Sequence, residues 1–195
     1  MSFERRQLTD AHDLRALSHP LRVRIMELLA QEGPLTATAA GAELGTTASN
    51  CSFHLRLLAR HGFVEEAEGG VGRQRPWRLV EQETRIRSKD LDQEGLSALR
   101  AIDELRWLRR RHQHSEWWRT RDEYPVEWRD AAAENFAVLH LTAAELAELN
   151  EAVHEVISRY VDRGLVSNRR PGTTPVDIST STIPLRLPRP GGKHG

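Results

Sequence analysis

The chain has 195 residues, 38% of them hydrophobic, and 28 basic residues balance 28 acidic ones. That hydrophobic content excludes a disordered chain and suits one or two small domains with real cores. A net charge of zero leaves only the local distribution of charge to identify a nucleic-acid partner. Cys51 is the only cysteine, which excludes an intrachain disulfide and a thiolate cluster. No apolar run approaches the roughly 20 residues of a membrane span. The first residues, "MSFERRQLTD", lack the apolar stretch of a secretory signal. A cytoplasmic protein with no membrane partner is expected.

Residues 13–30, "DLRALSHPLRVRIMELLA", predict two helices broken at Pro20, which suits the first turn of the second helix. Leu14 and Leu17 share a face of the first, and Leu21, Ile25, Leu28 and Leu29 recur at helical spacing in the second. Gly33-Pro34 ends it. Thr36 is then the expected N-cap of a short helix closing at Gly45. A further helix follows over 47–61 with Thr47 as its N-cap. "FVEEAE" from Phe63 and "WRLVE" from Trp77 predict a hairpin around the turn "GGVGRQRP" at 69–76. Residues 82–90 are polar and read as a connector. A long helix is expected from about Leu91 to Arg119, with Leu91, Ala98, Ile102, Leu105 and Leu108 as its apolar stripe. "NFAVLHL", 135–141, predicts a strand that "TIPLRLP" near the C-terminus could pair with. Between them Thr142 and Glu145 form a capping box, opening a helix with the stripe Leu146, Leu149, Val153, Val156 and Tyr160.

The segment "TTASNCSFHLRLLARHG", 46–62, contains no acidic residue. On a helix at about 100° per residue, Ala48, Cys51, Leu55, Leu58 and Ala59 fall on one side. Ser49, Phe53, Arg56, Leu57 and Arg60 fall opposite, and Asn50, Ser52 and His54 lie towards the edges. Hydroxyl and amide side chains can reach base edges or phosphates, arginine can do either, and an exposed ring can meet thymine methyls. Thr47, Ser49, Asn50, Ser52, Phe53, His54, Arg56 and Arg60 are therefore the candidate DNA-reading residues. The short helix, the Gly45 turn and this helix make a helix-turn-helix. Arg73, Arg75 and Arg78 make the following hairpin a candidate wing for phosphate or minor-groove contact.

"LGTTASNCSFHLRLLARHGFV" resembles the recognition segment of the ArsR-type winged-helix repressors, L-G-x-S-x-x-x-V-S-x-H-L-x-x-L-x-x-x-G-L-V. Leu44, Gly45, Ser52, His54, Leu55, Leu58, Gly62 and Val64 match without a gap. Thr47 stands in place of the serine, Cys51 in place of the valine, and Ala48 where many members carry glutamine. "LRALSHPLRVRIMELL" and "GRQRPWRL" are similar to the family's first helices and its wing, so the resemblance covers about residues 12–81. It implies a dimeric, operator-binding bacterial regulator. Thiolate metal sensors of that family pair cysteines on the helix before the recognition helix, and this chain has none there.

The expected fold class is mainly α with small β: a winged helix-turn-helix domain over 10–82, an α+β dimerisation and sensing domain over 90–188, and a disordered tail over 189–195. The expected partners are an operator in double-stranded DNA, a second copy of the chain and an unidentified small-molecule effector. Trp107, Trp117, Trp118 and Trp128 are candidate lining for an effector pocket, against the simpler reading that they fill a dimer core. No cofactor is expected. The best metal candidates are His112 and Glu116, four residues apart on one helix face, against the simpler reading of surface side chains. No phosphate loop, nucleophile elbow or hydrolase metal spacing supports an enzyme. The function this predicts is a sequence-specific transcriptional regulator, with a metal-responsive sensor and a winged-helix protein-interaction module as alternatives.

Overall fold

The computed structural model describes residues 4–70, 75–80, 82–86 and 88–187. The fold is mostly helical with a small antiparallel sheet and one parallel strand pair. The chain divides into two units, residues 1–133 and 134–195.

In the first unit each helix starts and stops where the local chemistry requires. Asp10 caps α1 (Ala11–Leu17) by accepting from the His12 N–H. His19 caps α2 (Pro20–Glu32) through Nδ1, which accepts from Leu21 N–H, and Pro20 fills the first turn, where no donor is needed. Thr36 caps α3 (Ala37–Leu44), and Gly45 ends it in the left-handed region at φ 64°. Thr47 caps α4 (Ala48–Arg60). A Cβ on Gly41 of α3 would sit 3.0 Å from Thr46 O and 3.1 Å from Ala48 N, so backbone lies against backbone where α3 meets α4.

Two strand pairs flank these helices. β1 (Glu4–Leu8) lies parallel to β4 (Gln82–Ile86), in register from Glu4 opposite Gln82 to Leu8 opposite Ile86. β2 (Val64–Glu66) and β3 (Trp77–Leu79) form an antiparallel hairpin. The expectation of a polar connector at 82–90 is corrected: most of it is β4 and a 3-10 turn over Ser88–Asp90. A strand whose partner lies near the other end of the domain leaves no local signal beyond its own composition.

α5 (Gln93–Thr120) is capped by Asp92, which accepts from Gly95 N–H. Its first half belongs to the same core as the helix-turn-helix. Ala98 and Ile102 are buried together with Leu8, Leu14, Ile25, Leu29, Cys51, Leu55, Leu58 and Val64. Arg109 then pairs with Glu27 of α2 at 2.6 Å. The division expected between 82 and 90 is therefore displaced to residue 133, because Ala98 and Ile102 close the first core and are not the start of a second. Of the expected α5 stripe, Leu108 is exposed. α6 (Val126–Ala131) completes this unit.

The second unit holds α7 (Ala143–Ser158), with both arms of the predicted capping box made. Glu145 N–H donates to Thr142 Oγ1, and Thr142 N–H donates to Glu145 Oε2 at 2.7 Å. Leu146, Leu149 and Val153 are half-buried, while Val156 and Tyr160 are exposed. The strand expected at 135–141 and its partner at the C-terminus are corrected. Neither 135–141 nor 182–187 is a strand, and Phe136 is 89% exposed. Thr182 Oγ1 instead donates to Asn150 Oδ1 of α7 at 2.8 Å. A strand-prone run makes a strand only when another edge supplies the hydrogen bonds. The tail expected over 189–195 lies outside the described residues.

Candidate nucleic-acid interface

The turn between α3 and α4 fixes the start of α4. Thr47 Oγ1 accepts from Asn50 N–H at 3.2 Å, and Asn50 Nδ2 donates to Thr46 Oγ1 at 3.0 Å. Two hydroxyls and an amide therefore sit ordered at the N-terminus of α4, where unpaired N–H groups and the helix dipole favour an anion. Further along, Ser49, Phe53, Arg56 and Arg60 point outward, with Phe53 56% exposed. Phe53, Arg56, Ala59 and Arg60 line an open depression on this face. Arg56 is steadied by its Nε, which donates to Ser52 O at 3.2 Å. Ser52 is half-buried and Thr47 and Asn50 are exposed, so these candidates stay at the accessible surface.

His54 does not, and its placement at the edge of the outward face is corrected. It is 6% exposed. Its ring lies 4.5 Å from the His19 ring at a 35° tilt, and Phe53 meets it edge-on at 5.2 Å. Burial lowers the pKa of both histidines below the ordinary 6.5, and Arg22 lowers both further, with His19 adding to the effect on His54. His54 therefore joins Cys51, Leu55 and Leu58 on the inner side of α4, where the N-terminus of α2 covers it. Cys51 is fully buried, and burial raises its pKa. It packs as a small apolar residue.

The far end of α4 is held by residues that the sequence did not single out. Arg6 Nη1 donates to His61 O at 2.7 Å, Arg6 Nη2 donates to Asp13 Oδ2 at 2.5 Å, and His61 Nδ1 lies 2.8 Å from Asp13 Oδ1. The Arg6 guanidinium also lies over the Phe63 ring, 4.8 Å from its centre. A cation against the last carbonyls of a helix is favoured by the helix dipole. This clamp fixes α4 to β1 and α1, and only a 55-residue sequence separation hid it.

The wing is tethered at its base. Leu35 and Trp77 exchange backbone hydrogen bonds of 3.0 and 2.8 Å. Arg78 pairs with Glu65 at 2.7 Å across the hairpin, and Arg75 lies 3.8 Å from Glu66. The charges of both arginines are thus partly answered within the hairpin. Arg73 lies outside the described residues.

Three of the four tryptophans each meet a different neighbour. Trp107 carries Arg111, Trp118 carries His114 and Arg121, and Trp117 packs on Tyr124. Trp107 and Trp118 are both more than half exposed. Trp107, Trp117 and Trp118 are strung along α5, and Trp128 lies on α6. Glu116 bonds Arg119, and no three histidine, cysteine or carboxylate groups gather to hold a metal among the described residues. No helix is long and apolar enough to cross a membrane among the described residues.

Residues 17–67 match a family model described as a helix-turn-helix domain. That span includes α2, the turn and all of α4. No curated protein matches the chain. A solved structure described as disulfide-formed AbfR is 16% identical over 52% of this chain and 68% of that one. Its TM-score of 0.29 is too low to carry an inference.

Proposed function

We propose that this chain is a sequence-specific DNA-binding transcriptional regulator, a repressor that binds an inverted-repeat operator as a dimer. The observation that carries the reading is the outer face of α4. It is acid-free, it opens on an ordered cluster of Thr46, Thr47 and Asn50, and it leaves Phe53 uncovered. An apolar ring exposed between arginines is poor chemistry for a merely solvated helix. It is good chemistry for a major groove. The helix-turn-helix match over 17–67 and the resemblance to ArsR-type regulators support the same reading.

Each protomer lays α4 in a major groove, with Ser49, Asn50, Phe53 and Arg56 nearest the base edges and Arg60 towards phosphate. Thr47 and Ser52 flank them. The wing contributes Arg75 and Arg73 against the backbone. Arg78 is the weaker wing candidate, because its guanidinium is already held by Glu65. Two-fold symmetry sets the half-sites about one helical turn apart, or a multiple of it. An effector acts by favouring a different spacing of the two reading helices.

The test starts from the DNA that the chain selects from a random pool. Asn50→Ala and Phe53→Ala should each cost about 1–3 kcal/mol on the selected site if they read bases, and change non-specific binding little. Arg60→Ala and Arg75→Ala should weaken selected and scrambled DNA alike. Each should flatten the salt dependence by about one unit for every phosphate that is no longer neutralised. Full discrimination retained by every α4 variant would place specificity in the wing or in DNA shape. Failure to enrich any sequence would remove the regulator reading.

A further inference from the structure

The bases open to α4 follow from how Phe53 and Arg56 are held. The two residues stand one turn apart, within about 60° of each other around the helix axis. With Ala59 and Arg60 they line an open depression built from α4 alone. Phe53 is 56% exposed and meets the buried His54 ring at 80°, with 5.2 Å between centres. One side of the ring is thus held and the other is open. Arg56 Nε donates to Ser52 O, one turn back, at 3.2 Å. That bond turns the guanidinium towards the level of Phe53 and leaves its two terminal nitrogens as a pair of donors. The segment 46–62 supplies no acid to take them up. Of the acids that flank it in the chain, Glu43 belongs to α3, and Glu65 and Glu66 lie against Arg78 and Arg75.

The major groove offers each of these two groups one matching partner. The Phe53 ring forms no conventional hydrogen bond, and the hydrocarbon that a base edge presents there is the C5 methyl of thymine. A guanidinium only donates, and guanine is the base with two acceptors side by side, O6 and N7. Adenine sets a donor beside its N7, cytosine presents a donor, and thymine has a single acceptor. Positions three residues apart are separated by about 4.5 Å along a helix axis, and the bond to Ser52 shortens that separation. One base step is about 3.4 Å. The methyl and the guanine therefore belong to neighbouring base pairs.

We infer that Phe53 and Arg56 read a two-base element in each half-site: a pyrimidine with a C5 methyl packed on the Phe53 ring, beside a guanine whose O6 and N7 accept from the two terminal nitrogens of Arg56. This rests on the regulator reading above and deepens it by naming the bases. It also sets a limit on discrimination. Phe53 senses a methyl and no hydrogen bond, so 5-methylcytosine satisfies it as thymine does, whereas cytosine and uracil do not.

The experiment uses the full chain and the site that it selects from a random pool, rebuilt with single base analogues. Each thymine in turn is replaced by deoxyuridine, which removes only the methyl. One such change in each half-site should weaken binding about fourfold, as loss of one buried methyl does. Phe53→Ala should bind the two versions alike. At the same position, 5-methylcytosine paired with guanine should bind about fourfold tighter than cytosine paired with guanine. In the neighbouring pair, 7-deazaguanine, which lacks the N7 acceptor, should weaken wild-type binding about fivefold or more, and Arg56→Ala should be indifferent to it. Scrambled DNA, bound equally by wild type and Phe53→Ala, controls for folding. A selected site in which no thymine responds to loss of its methyl would overturn the inference and leave the regulator reading intact. So would a response that persists in Phe53→Ala, or a responsive thymine with no responsive guanine in a neighbouring pair. If no sequence is enriched at all, the regulator reading falls and this inference falls with it.

Discussion

The two units use similar side chains to opposite ends. Up to residue 133, apolar residues from β1, α1, α2, α4, β2 and α5 converge until Leu14, Ile25, Leu55 and Leu58 are sealed from water. From residue 134 on, no described residue is buried, although Phe136, Val138, Leu139, Ile183, Leu185 and others are apolar and large. The second unit does not lack local order: its capping box is complete and α7 is regular. Among its described residues α7 is the only α-helix and no strand accompanies it. Good caps nucleate a helix, but most helical stability in proteins comes from what the helix is packed against.

The comparison breaks most visibly in the core. Leu55→Ala should cost about 2–5 kcal/mol of stability, since a fully buried leucine leaves a cavity in a tight cluster. Val156→Ala, half exposed on α7, should cost under about 0.5 kcal/mol. Urea unfolding at concentrations too low for association measures both. Equal costs would mean that the second unit has a buried core after all. A smaller effect is expected at the cap. Thr142→Ala should remove about 1 kcal/mol from α7, seen as faster amide exchange in that helix, with the melting of the first unit unchanged. A shift in both units would show that they fold as one.

The smallest effect is a pH slope confined to the first unit. The pKa values of His19 and His54 are lowered in the folded state, by burial first and then by their charged neighbours. The unfolded chain therefore binds protons that the folded chain refuses. Their contribution to stability is fully present above the unfolded value of 6.5 and is lost as pH falls from there to the lowered folded values. His54→Gln should make that decline shallower. An unchanged slope in the variant would assign the titration to other groups.

Much of the first unit was legible in sequence because its signals are local. Thr36, Gly45, Thr47 and Pro20 announce helix ends through chemistry contained within a turn or two, and the structure uses each as expected. What was hidden depends on distance. β1 and β4 recognise each other across most of the first unit, and Arg6 reaches α4 from 55 residues away. His54 was misplaced because its angular position lies at the margin of the apolar arc, and only the arrival of His19 turns that margin into interior. The stretch 135–141 was misread for the reverse reason: its apolar, strand-prone composition promised a neighbour that the fold does not bring.

Gly41 carries a consequence for control. A Cβ at position 41 would stand only 3.0–3.2 Å from backbone atoms of Thr46, Thr47 and Ala48, so any larger residue there would have to push α3 and α4 apart. The pair is a single casting. An effector acting as proposed above would move such a casting as one body. The quantity open to regulation is therefore the position of the whole helix pair in space.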